Sequence, residues 1–453
     1  MRFLTTIAIL ASSRLLDARV IPDHASQTVI RPDHAQSKGI SSNMQSNGTL
    51  DDIISASPLL SLHRSLCQIE SLTDNEHKVG LWLADYLKDS GFEVELQPVE
   101  DEGKEPIDPD EEFDAPPKRF NIYAYPPNKP NPEIILSSHI DTVPPFLPYS
   151  VEKPDTPDFD RGDIVIKGRG TVDAKACVAA QIIAASNKLA ENPDIPLGFL
   201  FVAGEETGGK GMKAFSRSKL NTVPPFYHTV IFGEPTEHKL VAGHKGITAF
   251  SIIAKGKASH SGYPWIGRSA ISDILPVLKR IDELGDVPES KGGLLSSPKF
   301  GKTTVNIGQI NAGVAINVLP ADATARVLLR VASGSADDAR RIISQAVRDY
   351  APEGSNVTVD FNSMGWGSGP TEIDADVEGF DVMTVNYSTD VPNLTYNDDG
   401  AETKVKRYLY GPGSILVAHA PNEALTISDL EESVAGYEKL IDAGIARSRK
   451  TGP

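Results

Sequence analysis

LSSHIDTVPP, residues 136–145, is the stretch on which the reading of this 453-residue chain turns. Apolar and small residues from Ile134 to Ser138 form a short strand-like run leading into His139, with Asp141 two positions further on. In an extended chain, side chains at i and i+2 share a face, so His139 and Asp141 project together from a strand end. Pro144 and Pro145 then stop the strand. A metal-binding imidazole needs an acceptor on its second nitrogen, commonly a carboxylate, and one His and one Asp at this spacing can supply both ligand and support. The pair alone is a short, common pattern; its weight depends on what neighbouring strand ends deliver.

Working outward, the segment before it reads as helix from Leu59 to Ser90, interrupted by a Thr-Asp-Asn turn and ended by Gly91. A strand over 92–99 and a Pro- and acid-rich surface loop over 100–118 follow. Beyond it, Gly168 and Gly170 bracket a turn, and Asp173 stands where an Ala-rich helix begins, a position that an N-cap would also explain. Pro196 precedes LGFLFVA, a continuous apolar run of buried-strand type that delivers Gly204, Glu205, Glu206 and Thr207 at its end. His228 to Phe232 is another such strand, ending in Gly233-Glu234-Pro235-Thr236. Strands alternating with helices, with polar residues at strand C-termini, predict an α/β fold with its site along that edge.

From 247 to 357 the pattern changes. Strand 247–255, helix 268–284, strands 303–311 and 322–332, helix 335–350 and strand 356–361 make a β-α-β-β-α-β order, the ferredoxin-like arrangement. Inserted between two α/β halves, it predicts a lid or dimerisation domain, with 51–246 and 358–453 as the two parts of the catalytic domain. After Gly365 come strand-like runs, GPGSILVAHAPNEAL, and a final helix over 427–447.

The N-terminus opens with Arg2 and a short apolar run from Phe3 to Ala11, too short for a bilayer and laid out as a secretory signal peptide over 1–19. Residues 20–50 are polar and read as a variable or pro-segment. Sequons at Asn47, Asn356, Asn386 and Asn393 agree with a secreted glycoprotein. A net charge of -17, without a basic stripe, excludes nucleic acid as the expected partner, and no later stretch is of membrane-spanning length. Cys67 and Cys177 are the only cysteines, so neither a disulfide scaffold nor a zinc finger is available, and their pairing stays open.

His139, Asp141, Asp173, Glu205, Glu206, Glu234 and His419 all fall at strand ends or loops of the α/β part. Two histidines with several carboxylates form a nitrogen- and oxygen-rich set suited to zinc or a similar divalent ion. The adjacent pair Glu205–Glu206 is the sharpest signal, because neighbouring carboxylates repel, and a divalent ion relieves that while leaving one of them as a base. Gly204–Lys210 also nearly matches the phosphate-binding loop G-x-x-x-x-G-K-[ST], but Gly211 stands where its Ser or Thr belongs.

Taken together, SSHIDTVP, GRGTVDAKA, GEET, GEPT, KASHSGYP and GPGSILVAHAPNE, in that order from about residue 60 to the end, resemble the M20 family of di-zinc metallopeptidases. That family includes glutamate carboxypeptidases, aminoacylases and acetylornithine deacetylases. The resemblance implies two Zn2+ per subunit, with Co2+ or Mn2+ as substitutes, held by His139 and Glu234 on one side and Glu206 and His419 on the other, with Asp173 bridging. It implies that Asp141 orients His139, that Glu205 is the general base on a zinc-bridging water, and that His260 stabilises the oxyanion across a dimer interface formed by the lid. Asn317 and Arg330 would grip a substrate's terminal carboxylate, and Gly413 would lie near its backbone. The expected activity is a secreted carboxypeptidase acting on peptides; the alternative is an N-acyl-amino-acid amidohydrolase.

Overall fold

The computed structural model describes residues 49–451 except 101–117, 157, 366 and 398–403. The signal-like start, nearly all of the 20–50 segment and Asn47 lie outside the described residues, as does most of the acid-rich loop.

The first part of the chain forms a six-stranded sheet in the spatial order Glu93–Pro98, Phe120–Tyr125, Leu197–Val202, Ile134–His139, Thr229–Gly233 and Lys406–Tyr410. The last four strands run parallel to one another, while the first two pair antiparallel. Period-two alternation divides their side chains between two cores. Ile134, Leu136, Phe199, Phe201 and Ile231 point to one face, where helices Pro58–Gln68, His77–Asp89, Lys175–Glu191 and Ile427–Thr451 pack. Ile135, Leu200, Val202, Val230 and Phe232 point to the other, where Met212 and Phe215 of helix Lys210–Arg217 cover them. A parallel sheet must be covered on both faces, which is why these strands read as unbroken apolar runs.

Residues 246–360 build a separate four-stranded antiparallel sheet, in the order Thr304–Ala312, Asp322–Val331, Gly246–Lys255, Asn356–Asp360. Helices Ala270–Glu283 and Ala336–Tyr350 lie against it, with Val277, Ile281, Ile343 and Val347 meeting Phe250 and Ile252 in a core of its own. The β-α-β-β-α-β order expected from the pattern is the order found. Among the described residues no helix is long and apolar enough to cross a membrane.

Cys67 and Cys177 sit buried on separate helices as free thiols. Asn356 and Asn386 are exposed. At the third described sequon, Asn393 is half-buried: its Nδ2 donates to Asp390 Oδ1 at 2.8 Å, and it lines the main cavity near Gly209.

Candidate metal centre

The four parallel strands all end at one edge, and that edge carries the acids and histidines. His139 is the last residue of its strand; Glu205 and Glu206 follow Val202; Glu234 follows Gly233; His419 lies in the loop beyond Tyr410. Asp173 stands in the turn before helix Lys175–Glu191. It is not the N-cap, since that helix has no side-chain cap, and the carboxylate is turned instead toward the histidines.

Asp173 faces both imidazoles. Its Oδ1 is 3.0 Å from His139 Nε2 and its Oδ2 is 3.3 Å from His419 Nε2. Glu234 Oε1 lies 3.9 Å from His139 Nε2, and Glu206 Oε2 lies 3.0 Å from His419 Nε2. Zinc bonds of about 2.0–2.2 Å in tetrahedral geometry set ligand atoms roughly 3.3–3.6 Å apart. The observed spacings straddle that range, so the donor set fits two ions that share Asp173. Two overlapping triads, His139–Asp173–Glu206 and His139–Glu205–Glu234, each bring their ligand atoms within 4.8 Å of one another. Glu205 therefore stands close enough to act on anything held between them. His419 reaches this position with φ 62, a left-handed conformation uncommon outside glycine.

The electrostatics agree with a site made for cations. Burial pushes the carboxyls of Glu205, Glu206 and Glu234 above their usual range, and negative neighbours push further, Glu234 on Glu205 and Asp173 on the other two. Burial would lower His139, but Asp173 and Glu234 hold its imidazole well above its usual value. His419 is raised to about 10 by its contacts with Asp173 and Glu206. Burial would raise Asp173 too, yet the two histidines hold it below the usual carboxylate range. A divalent ion would satisfy this excess of buried negative charge.

Asp141 requires a correction. His139 Nδ1 donates to the main-chain carbonyl of Asp141 at 2.9 Å, and the Asp141 carboxylate is further off at 3.6 Å. That carboxylate instead accepts from the backbone N–H of Glu205 at 3.1 Å and of Glu206 at 3.3 Å, and from Thr73 Oγ1 at 2.8 Å. Asp141 therefore steadies His139 through its backbone and the Glu205–Glu206 loop through its side chain. This loop rules out the phosphate-loop alternative as well. A Cβ at Gly211 would come within 2.4 Å of both the Ala203 carbonyl and Asn121 Oδ1, so the Ser or Thr that motif needs does not fit.

A cavity of about 390 Å³ opens over the site, lined by Asp173, Glu205, Glu206, Glu234 and His419 on its acidic side. Arg330, Lys213, Ile247, Leu328 and Tyr387 are among its other lining residues. Arg330 thus reaches the pocket from the Asp322–Val331 strand, as anticipated. His260 and Asn317 do not: both are exposed at one end of the inserted unit, joined by a hydrogen bond from Ser261 N to Asn317 O of 3.0 Å. Gly413 does not line the cavity either. Its φ of 71 and the 2.8 Å left between a Cβ and Val172 make it a packing glycine beneath the Asp173 turn.

Two supports escaped the sequence reading. Glu423 is buried, pairs with Arg169 Nη1 at 2.5 Å, and accepts at Oε1 from the N–H groups of Gly170, Val172 and Asp173 at 3.0–3.1 Å. It holds the turn that presents Asp173. Asp390 lies buried behind the cavity wall, its carboxyl raised to about 6 chiefly by burial. Both belong to segments that look like ordinary polar loop in sequence; the signal for Glu423 was its place at the end of GPGSILVAHAPNE.

Residues 242–355 match the sequence model of the peptidase dimerisation domain, and residues 121–232 that of peptidase family M28, the latter span including His139, Asp173, Glu205 and Glu206. A protein of Ajellomyces capsulatus described as a probable carboxypeptidase is 53% identical over 446 residues, spanning 98% of this chain and 99% of its own. The M20 family metallo-carboxypeptidase of Sulfolobus solfataricus has the same fold at 13% identity, with a TM-score of 0.61 over 86% of this chain and 99% of that one. A dinuclear metal-binding M20 peptidase of Bacillus subtilis aligns at 15% identity, with a TM-score of 0.50 over 86% of this chain and 97% of its own. With the 53% identical relative similar along nearly its whole length and the dimerisation unit in place, the chain belongs to the M20 family of metallopeptidases and is a hydrolase.

Proposed function

We propose that this protein is a secreted, zinc-dependent carboxypeptidase that removes the C-terminal residue of peptides. The observation that carries the metal-dependent part is Asp173, which offers one oxygen to each histidine between flanking glutamates. His139 and Glu234 would hold one ion, Glu206 and His419 the other, with Asp173 shared. When bound, such ions lower the pKa of a shared water and polarise a substrate carbonyl. The mixed imidazole and carboxylate donors suit zinc, and Co2+ or Mn2+ could take the same ligands.

The chain's own groups supply the rest. Glu205, buried beside Glu234 and attached to the Asp141-anchored loop, is placed to take a proton from the attacking water and pass it to the leaving amine. Burial lowers the Arg330 guanidinium from its usual value, and it lines the same pocket as the acids, where a fork-shaped cation suits a terminal carboxylate. His260 and Asn317, exposed here and away from this cavity, are presented for the site of a second copy. Trp265, Val314 and Ile316, close to them in sequence, are exposed as well, apolar residues of the kind subunits cover. The apolar run Phe3–Ala11 supports secretion, and the exposed Asn356 and Asn386 support glycosylation.

The test is hydrolysis of matched dipeptides by zinc-loaded protein, with free and amidated C-termini. Turnover should require the free carboxylate; equal cleavage of the amides would overturn the carboxypeptidase reading.

A further inference from the structure

Arg169 is buried, yet it gives a single nitrogen to an acid. Nη1 donates to Glu423 Oε2 at 2.5 Å, while Nη2 donates to the main-chain carbonyl of His419 and Nε to that of Pro145, each at 3.3 Å. Buried Arg119, by contrast, turns Nε, Nη1 and Nη2 toward the carboxylates of Glu76 and Asp74. The planar fork of Arg169 thus ties three segments: the loop after the His139 strand, the loop that carries His419, and, through Glu423, the turn from Gly170 to Asp173. Its own backbone N–H adds a bond to the Leu147 carbonyl at 3.0 Å.

Of the two histidines at the metal centre, His419 has the weaker hold. His139 ends a buried strand, and its Nδ1 is fixed by the Asp141 carbonyl. His419 is exposed, stands in a loop, and adopts the left-handed φ of 62, a conformation that persists only where the surroundings hold it. A metal-binding histidine is usually steadied through its second nitrogen, but among the described residues His419 Nδ1 has no hydrogen-bond partner. We propose that Arg169 is the positioning residue for His419: its grip on the His419 carbonyl replaces the missing support of the ring and sets the affinity of the ion shared with Glu206. This assignment rests on the two-ion reading above.

The test titrates Zn2+ calorimetrically into metal-free full-length protein: wild type, Arg169→Lys, His419→Ala and the double variant. Wild type should take up two ions per chain. Lysine keeps a charge for Glu423 but cannot span the three acceptors, so R169K should bind one ion as wild type does and the other about 10–100-fold more weakly, the usual cost of losing an outer support. Because H419A removes the ligand through which Arg169 acts, adding R169K to it should weaken Zn2+ binding no further; a residue that merely carries the fold would add its own loss. Urea unfolding of the metal-free proteins checks that each is folded. If R169K is not, Arg169→Gln combined with Glu423→Gln leaves no charge stranded, and set against Glu423→Gln alone it should show the same selective loss. Two ions at wild-type affinity in the folded variant, or a further loss on top of H419A, would overturn the Arg169 assignment and leave the two-ion reading standing. A wild-type protein that binds a single ion would overturn both.

Discussion

His419 Nε2 lies 3.3 Å from Oδ2 of Asp173, while the other oxygen of that carboxylate meets His139, so one side chain joins the two halves of the site. An amide at this position keeps the shape but offers one oxygen and no charge. Asp173→Asn should therefore lose bound metal from both positions rather than one, and activity should fall by at least about 100-fold, the upper loss typical even of an indirect metal support. Metal analysis by plasma mass spectrometry after dialysis checks this; a variant that keeps two ions per chain would show that Asp173 does not bridge.

Glu205 sits within ligand distance of His139 and Glu234, so its role as base and a role as ligand predict different losses. As the base, Glu205→Gln should keep the full metal content and lose about 10²–10⁴-fold in kcat, the usual worth of a positioned proton acceptor. Loss of metal along with activity would make Glu205 a ligand instead.

His260 is exposed and outside the cavity of its own chain. If it serves the site of a second copy, Glu205→Gln and His260→Ala chains, each nearly inactive alone, should complement when mixed under exchange. Random twofold pairing makes half the dimers mixed, each with one intact site, so activity should recover to about one quarter of wild type. No recovery, in mixtures shown to exchange subunits, would place His260 outside the mechanism.

Glu423 and Arg169 form a buried ion pair through one guanidinium nitrogen, whereas Glu431 and Arg161 form a bidentate pair at the surface. Removing one partner of a buried pair strands a charge in the interior and costs about 3–5 kcal/mol. An exposed pair is worth about 0–1 kcal/mol. Glu423→Ala should thus destabilise urea unfolding by several times more than Glu431→Ala, and should also weaken metal binding by loosening the Asp173 turn.

Much of this was legible because period and punctuation are local. Continuous apolar runs before His139, Glu205 and Glu234 marked buried parallel strands, and their C-terminal acids fell at one edge as the sheet requires. The inserted unit could be read element by element because its helices and strands alternate amphipathic patterns of different period. What stayed hidden was set by contacts distant in sequence. Nothing near Asp141 says that its carboxylate will anchor residues 205 and 206 while its carbonyl holds His139. Nothing near Glu423 says that it will thread under residues 170–173. Gly413 misled for the same reason: the positive φ and the Val172 contact that require glycine appear only once the loop is folded.

His244 offers a last test, of stability rather than catalysis. It is buried, with Nδ1 against the Lys245 carbonyl at 2.7 Å and Nε2 against Thr389 Oγ1 at 3.1 Å, and burial pushes its imidazole from 6.5 down to about 4. The unfolded chain accepts a proton there as pH falls below 6.5, and the folded chain refuses it until about pH 4. This histidine therefore costs nothing above neutrality and progressively favours unfolding as pH drops through that window, by about 2 kcal/mol at pH 5. His244→Gln keeps a polar group of similar reach without the titration. The fall in unfolding free energy between pH 7 and pH 5, measured by urea titration, should be smaller in H244Q by about that amount. Equal falls in both proteins would mean that His244 accepts its proton without unfolding.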